Sequence, residues 1–274
     1  MITEILSYSF LSRAFVAGLL VSAAAALLGV SLVLRRFSMI GDGLSHVGFG
    51  ALAVATVLSL SPMAVTVPVT VLTAFLLLRM SGKSKGSGDS AIALLSSSAL
   101  ALGVIAVSLG GVNTDLNAFL FGSIVSVSRS DALLSVVIAL ATIVLYLVFY
   151  HQIYASTFDP AFASATGIKC ERYTTLLSVL TALVIVLGMR ILGSLLISSL
   201  IIFPACTAMR LCKTYFSVTA FAVAESVVAF TSGFLSSYAF SLPTGATIVM
   251  AHLLLFLVAL ILCKMGAIIR KWRA

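Results

Sequence analysis

The sequence predicts an all-α polytopic membrane protein with eight or nine transmembrane helices. Three observations carry that prediction. Hydrophobic residues make up 61% of the 274-residue chain and charged residues only 9%, where soluble domains run at about half and about a quarter. Apolar runs close to the roughly 20 residues that a bilayer-crossing helix needs recur from end to end. Lys and Arg gather at alternate gaps between those runs. A mean hydropathy of +1.24 excludes an ordinary soluble enzyme, because no soluble fold hides so much apolar surface. It equally excludes a disordered chain, which needs low hydrophobicity and high charge.

The runs fall near 14–34, 44–60, 63–80, 90–109, 131–149, 174–192, 193–209, 216–236 and 245–263. The first is too long for a signal-peptide core and reads as a retained helix. The seventh opens at Gly193 and carries Pro204, so a broken or tilted segment is possible there, and with it a choice between eight and nine spans. With nine spans and the N-terminus outside, thirteen of the sixteen Lys and Arg fall on the cytoplasmic side. Only Arg13, Arg129 and Arg190 fall outside, as the positive-inside rule requires. The C-terminus is then cytoplasmic, with Arg270-Lys271-Trp272-Arg273 as an interfacial anchor. The longest polar stretches, 81–90, 110–131 and 151–174, leave no room for a soluble domain, so residues 1–274 read as one transmembrane domain.

The net charge of +8 is accounted for by these loops, and no nucleic-acid role is expected. Cys170, Cys206, Cys212 and Cys263 form no CxxC pair and lie inside or towards the cytoplasm, which argues against a disulfide framework. No internal repeat stands out, against expectation for many secondary transporters.

An ionisable residue inside a membrane is a functional candidate by default. Arg35-Arg36-Phe37-Ser38-Met39-Ile40-Gly41-Asp42-Gly43-Leu44-Ser45-His46 holds the best cluster. The arginines mark the cytoplasmic end of the first helix, and Ser38 is placed to cap the second. Asp42 and His46, four apart, share one face. A carboxylate and an imidazole make half of a site for Zn²⁺, Mn²⁺ or Fe²⁺. Two copies across a two-fold axis supply four donors. The alternative is a self-satisfied pair that pins a helix. Gly41, Gly43, Gly48 and Gly50 permit close packing around it.

This segment resembles the signature of permease subunits in the zinc, manganese and iron family of ABC importers. Further matches follow in order: Asn113-Thr114-Asp115-Leu116, Phe119-Leu120-Phe121-Gly122, Phe158-Asp159-Pro160-Ala161-Phe162-Ala163 with Gly167-Ile168, Gly193-Ser194-Leu195-Leu196 through Phe203-Pro204-Ala205, and Pro243-Thr244-Gly245-Ala246. The resemblance spans nearly the whole chain. It implies a permease of the metal-chelate, type II-like class in a prokaryotic plasma (inner) membrane. It also implies a homodimer, two cytoplasmic ATP-binding subunits and an extracellular metal-binding protein. No permanently bound cofactor is expected. The cargo is a divalent ion, ranked zinc first, manganese next and ferrous iron third, with Asp42 and His46 as its ligands.

Within 151–174, Asp159 can cap a short helix, Pro160 can occupy its first turn and Gly167 can end it. By pattern alone this is an interfacial helix. The resemblance makes it the coupling helix that docks into the ATPase, with Phe158 and Phe162 as apolar anchors four apart. Colder readings apply elsewhere. Asp115, with Asn113 beside it, reads as a helix cap, and Glu225 and His252 read as buried, hydrogen-bonded packing residues. Cys206 reads as an apolar filler, Ser96–Ser98 as helix-contact residues and His151 as nothing specific. Gly82-Lys83-Ser84 imitates a phosphate-binding loop, but Leu77 stands where that loop needs glycine. ATP hydrolysis therefore belongs to a separate subunit. The rival reading is a gradient-driven secondary transporter, which needs more buried acids.

Overall fold

Small residues let the first helix run through the middle of the molecule. α1 (Ser9–Leu34) carries the stretch Ala23-Ala24-Ala25-Ala26, all buried, and packs against four other long helices. Gly29 lies so close to the Ile201 carbonyl that a Cβ there would collide with backbone. In hydrocarbon such close approach, rather than hydrophobicity, drives helix association. Ser22 and Ser226 add a polar tie, with their hydroxyls 3.0 Å apart.

The chain is described here from a computed structural model that covers residues 9–80, 88–110, 122 and 128–273, with side chains over 10–79, 90–110, 122 and 128–265. After α1 come α2 (Ile40–Val57), α3 (Pro62–Met80), α4 (Gly88–Gly110), α5 (Arg129–Val148), α6 (Tyr150–Phe158), α7 (Pro160–Ala165), α8 (Cys170–Leu192), α9 (Ser194–Leu211), α10 (Tyr215–Phe240) and α11 (Thr244–Arg273). Among the described residues, nine helices are long and apolar enough to cross a membrane, all but α6 and α7.

The seventh run is a span in its own right. α9 continues unbroken past Pro204. The break lies before it, where Gly193 alone separates α8 from α9 at φ 93, a conformation that side-chain-bearing residues avoid. The run at 44–60 starts four residues earlier than its apolar content suggests. Asp42 sits in the first turn of α2, where a carboxylate is favoured by the helix dipole and does not delay the helix.

α1, α2, α8 and α9 bury most of their surface, whereas α4 and α11 lie at the periphery. Leu94, Leu102 and Leu109 of α4 and Leu254 and Ile261 of α11 are exposed. Outward apolar faces of this kind suit hydrocarbon. The segments around Asn113–Asp115, Phe119–Phe121 and Gly82–Ser84 fall outside the described residues, as do the side chains of Arg270–Arg273.

Candidate functional site

The turn before α2 decides where Asp42 stands. Arg36 adopts a left-handed conformation at φ 64, and the Phe37 N–H donates to the Leu32 carbonyl at 2.9 Å. The chain therefore reverses tightly, and Met39 becomes the residue preceding the helix, with no side-chain cap. The expected cap by Ser38 does not form, because the tight turn starts the helix one residue too late for it. Gly41 then lies 3.2 Å from Ser198 Cα and from Ile201 Cδ1, counted from where a Cβ would be. Ile201 is near the middle of α9, so Asp42 stands level with the middle of that helix although it opens its own.

The glycines around the signature face different neighbours. Gly41 meets α9, Gly43 meets Ile92 of α4, Gly48 meets Met189 of α8, and Gly50 meets the Ala99 backbone of α4. They draw three helices against α2 and leave one stripe uncovered, and that stripe carries Asp42 and His46. The His46 Nε2 stands 3.5 Å from Asp42 Oδ1, with side-chain exposures of 19% and 45% respectively. That gap exceeds the roughly 2.9 Å of a firm hydrogen bond. Donors about 2.1 Å from a tetrahedral ion stand about 3.4 Å from one another, so the pair is spaced as two ligands of one cation. Among the described residues no group of three His, Cys, Asp or Glu side chains is arranged to hold a metal. One copy of the chain thus offers two donors on a partly open face.

A second acid–imidazole pair lies deeper. His252 Nδ1 and Glu225 Oε1 are 3.2 Å apart, joining α11 to α10, with both side chains buried. Phe203 of α9 stacks on the imidazole at 6.2 Å between centroids. Among the described residues, Glu225 Oε2 and His252 Nε2 have no hydrogen-bond partner. The sequence suggests two separate packing residues, and the structure makes them one pair. Their pairing was legible in principle, because a lone acid and a lone histidine in consecutive antiparallel spans seek each other in hydrocarbon.

The segment after α5 forms two helices, not one helix in a loop. Asp159 breaks the helix at φ −142, ψ 87, and its Oδ1 accepts from the Phe162 N–H at 2.9 Å. Pro160 opens α7 and Gly167, at φ 86, follows its end. Phe158 consequently ends α6 while Phe162 belongs to α7, so they are not neighbours on one helical face. Both are nonetheless largely exposed, at 59% and 65%. Sequence reasoning missed what lies beneath them. Arg35, read only as a charge marker, sends its guanidinium into α6 and α8. It donates to Thr157 Oγ1 at 3.3 Å, Thr174 Oγ1 at 3.0 Å, the Ser156 carbonyl at 3.2 Å and Ser156 Oγ at 3.0 Å. Burial pushes the Arg35 pKa below its ordinary value. Close by, the hydroxyls of Ser31, Tyr146 and Tyr215 bond one another at 2.7–2.9 Å.

Residues 7–263 match the ABC 3 transport family. The chain belongs to that family. A manganese transport system membrane protein, MntC, of Halalkalibacterium halodurans is 32% identical over 98% of this chain and 93% of its own length. The high-affinity zinc uptake system membrane protein ZnuB of Haemophilus influenzae is 30% identical over 92% of this chain and 97% of its own. Among solved structures, PsaBC from Streptococcus pneumoniae in complex with Fab superposes with a TM-score of 0.81 at 30% identity, covering 94% of this chain and 95% of that one. A metal-chelate type ABC transporter in an inward-facing conformation shares the fold, with a TM-score of 0.67 at 19% identity over 91% and 85% of the two chains.

As a member of the ABC 3 transport family, the chain is the membrane permease subunit of an ATP-driven transport system. Hydrolysis resides on a separate subunit. The gradient-driven alternative gives way to this assignment.

Proposed function

We propose that Asp42 and His46 hold the metal ion in transit and that two copies of the chain, meeting with these residues facing, supply four donors between them. The observation that carries this reading is the spacing: two donors 3.5 Å apart on a partly open stripe, with no group of three candidate ligands among the described residues. Two donors from each chain, free to part as the chains move, suit a site that must bind and then release. Mixed oxygen and nitrogen donors accept both zinc and manganese. We rank zinc first as cargo, then manganese, with ferrous iron third. Relatives named for manganese and for zinc match at similar identity.

In the same proposal, the chain lies in a prokaryotic plasma membrane with α6 and α7 on the cytoplasmic side, the N-terminus outside and the C-terminus inside. α7 and the exposed Phe158 and Phe162 then dock on the ATPase. The test is uptake of labelled zinc and manganese into proteoliposomes holding the permease, its ATPase and its binding protein. ATP-dependent accumulation of one ion, outcompeting the other, names the cargo. Changing Phe158 and Phe162 together to Asp is expected to strip the ATPase from the purified complex, and unchanged co-purification rejects the docking role.

A further inference from the structure

Arg35 occupies an unusual place. It is the first residue after α1, and only the short turn 36–39 separates it from α2 and from Asp42. Its guanidinium reaches away from that turn, into the last turn of α6 at Ser156 and Thr157 and into α8 at Thr174. Thr157 is two residues before Asp159, whose cap fixes the start of α7. A chain of short, stiff connections thus runs from exposed α7 through the α6 terminus and Arg35 to the turn that positions Asp42. Phe37, in that same turn, is buried in the main core, so the turn cannot swing independently of the bundle. Tyr215, at the start of α10, packs against Tyr154 at 4.9 Å and lies 6.2 Å from Phe158, which ties the same α6 terminus to a third long helix.

A pure anchor does not need this arrangement, because a neutral side chain could close the gap without burying a charge. A guanidinium is suited to something more specific. Its fixed fork holds several acceptors in one geometry, so moving Ser156 and Thr157 relative to Thr174 must either drag the Arg35 backbone or break charge-assisted hydrogen bonds of a partly buried guanidinium, which is costly.

We propose that Arg35 is the positioning residue that transmits displacement of α6 and α7 to the α1–α2 turn, and through it to Asp42 and His46. This rests on the reading of α7 as the ATPase docking segment. Arg35 itself touches neither metal nor nucleotide. Its contribution is to keep the two ends of the linkage moving together.

The experiment uses the full complex in proteoliposomes, with the binding protein supplied, and reads ATP hydrolysis and metal uptake in parallel. Arg35→Lys keeps the charge but loses the fork. The expected result is an intact complex that still hydrolyses ATP while uptake per ATP falls about tenfold, a typical magnitude for a coupling between sites. Parallel loss of uptake and hydrolysis, or an unchanged ratio, overturns the proposal and leaves Arg35 a structural anchor. A second variant, Ser156→Ala with Thr174→Val, removes two of the four acceptors, Ser156 Oγ and Thr174 Oγ1, and leaves Arg35 in place. It decides the matter if Arg35→Lys fails to fold, because the same fall in uptake per ATP is expected and an unchanged ratio again overturns the proposal. Failure of the docking reading has a different signature: the Phe158/Phe162 double substitution to Asp leaves the ATPase bound.

Discussion

Asp42 with His46, and Glu225 with His252, set the same two chemical groups in opposite surroundings. The first pair is local, one helical turn apart on α2, separated by 3.5 Å and partly exposed. The second joins α10 to α11 across 27 residues of sequence, at 3.2 Å, and is sealed from the surface. A sealed pair with an aromatic ring stacked upon it is built to stay together, since either group alone would be an uncompensated polar side chain in hydrocarbon. A partly open pair, too far apart for a firm hydrogen bond, can exchange its partner for an ion. The difference teaches that residue type alone does not decide which pair an ion could reach. Access and spacing do.

That contrast can be broken by experiment. The largest expected effect is on Asp42. Asp42→Ala should lower metal uptake by about 100-fold or more, as loss of a first ligand does when outer partners alone cost about 10–100-fold. The partner ATPase should remain bound and the thermal midpoint in detergent should barely move, because Asp42 is half exposed. Near-normal uptake would remove Asp42 from the pathway.

Glu225→Ala should behave in the reverse manner. It leaves a buried His252 without its partner, at a stability loss of about 1–3 kcal/mol, read as a lowered thermal midpoint of the purified permease. Glu225→Gln, which keeps the size and one acceptor, should recover most of that stability and transport. If Glu225→Gln is stable yet abolishes uptake, the sealed pair belongs to the pathway and the contrast collapses.

An ion pair between α8 and α5 calibrates the scale. Arg190 Nη1 donates to Asp131 Oδ1 at 2.9 Å, tying α8 to α5 with both side chains a quarter or more exposed. Arg190→Ala should shift stability by no more than about 1 kcal/mol and leave uptake unchanged. A larger effect would mean that this short, well-aligned pair is screened from water by neighbouring copies or lipid.

Much of this molecule was legible along the chain. The apolar runs announced the long helices, because the length of a bilayer-crossing helix is set by hydrocarbon thickness. The i, i+4 spacing placed Asp42 beside His46, and Asp159, Pro160 and Gly167 marked the bounds of α7. Each of these depends on neighbours within a turn or two. Where the reading went astray, a backbone detail intervened: the left-handed Arg36 displaced the expected Ser38 cap, and the break at Asp159 separated Phe158 from Phe162.

By itself, then, the sequence determined the number of long helices to within one, their approximate extent, the distribution of charge along them and the local donor pair, because hydropathy, capping and helical spacing are short-range properties. Only the tertiary structure decided that Glu225 meets His252, that Arg35 grips α6 and α8 across more than a hundred residues, and that Asp42 lies level with the middle of α9. Those facts depend on how each helix is rotated about its axis. In a bundle whose exterior is as apolar as its interior, hydropathy does not report that rotation. Close packing of glycine and alanine against backbone sets it instead.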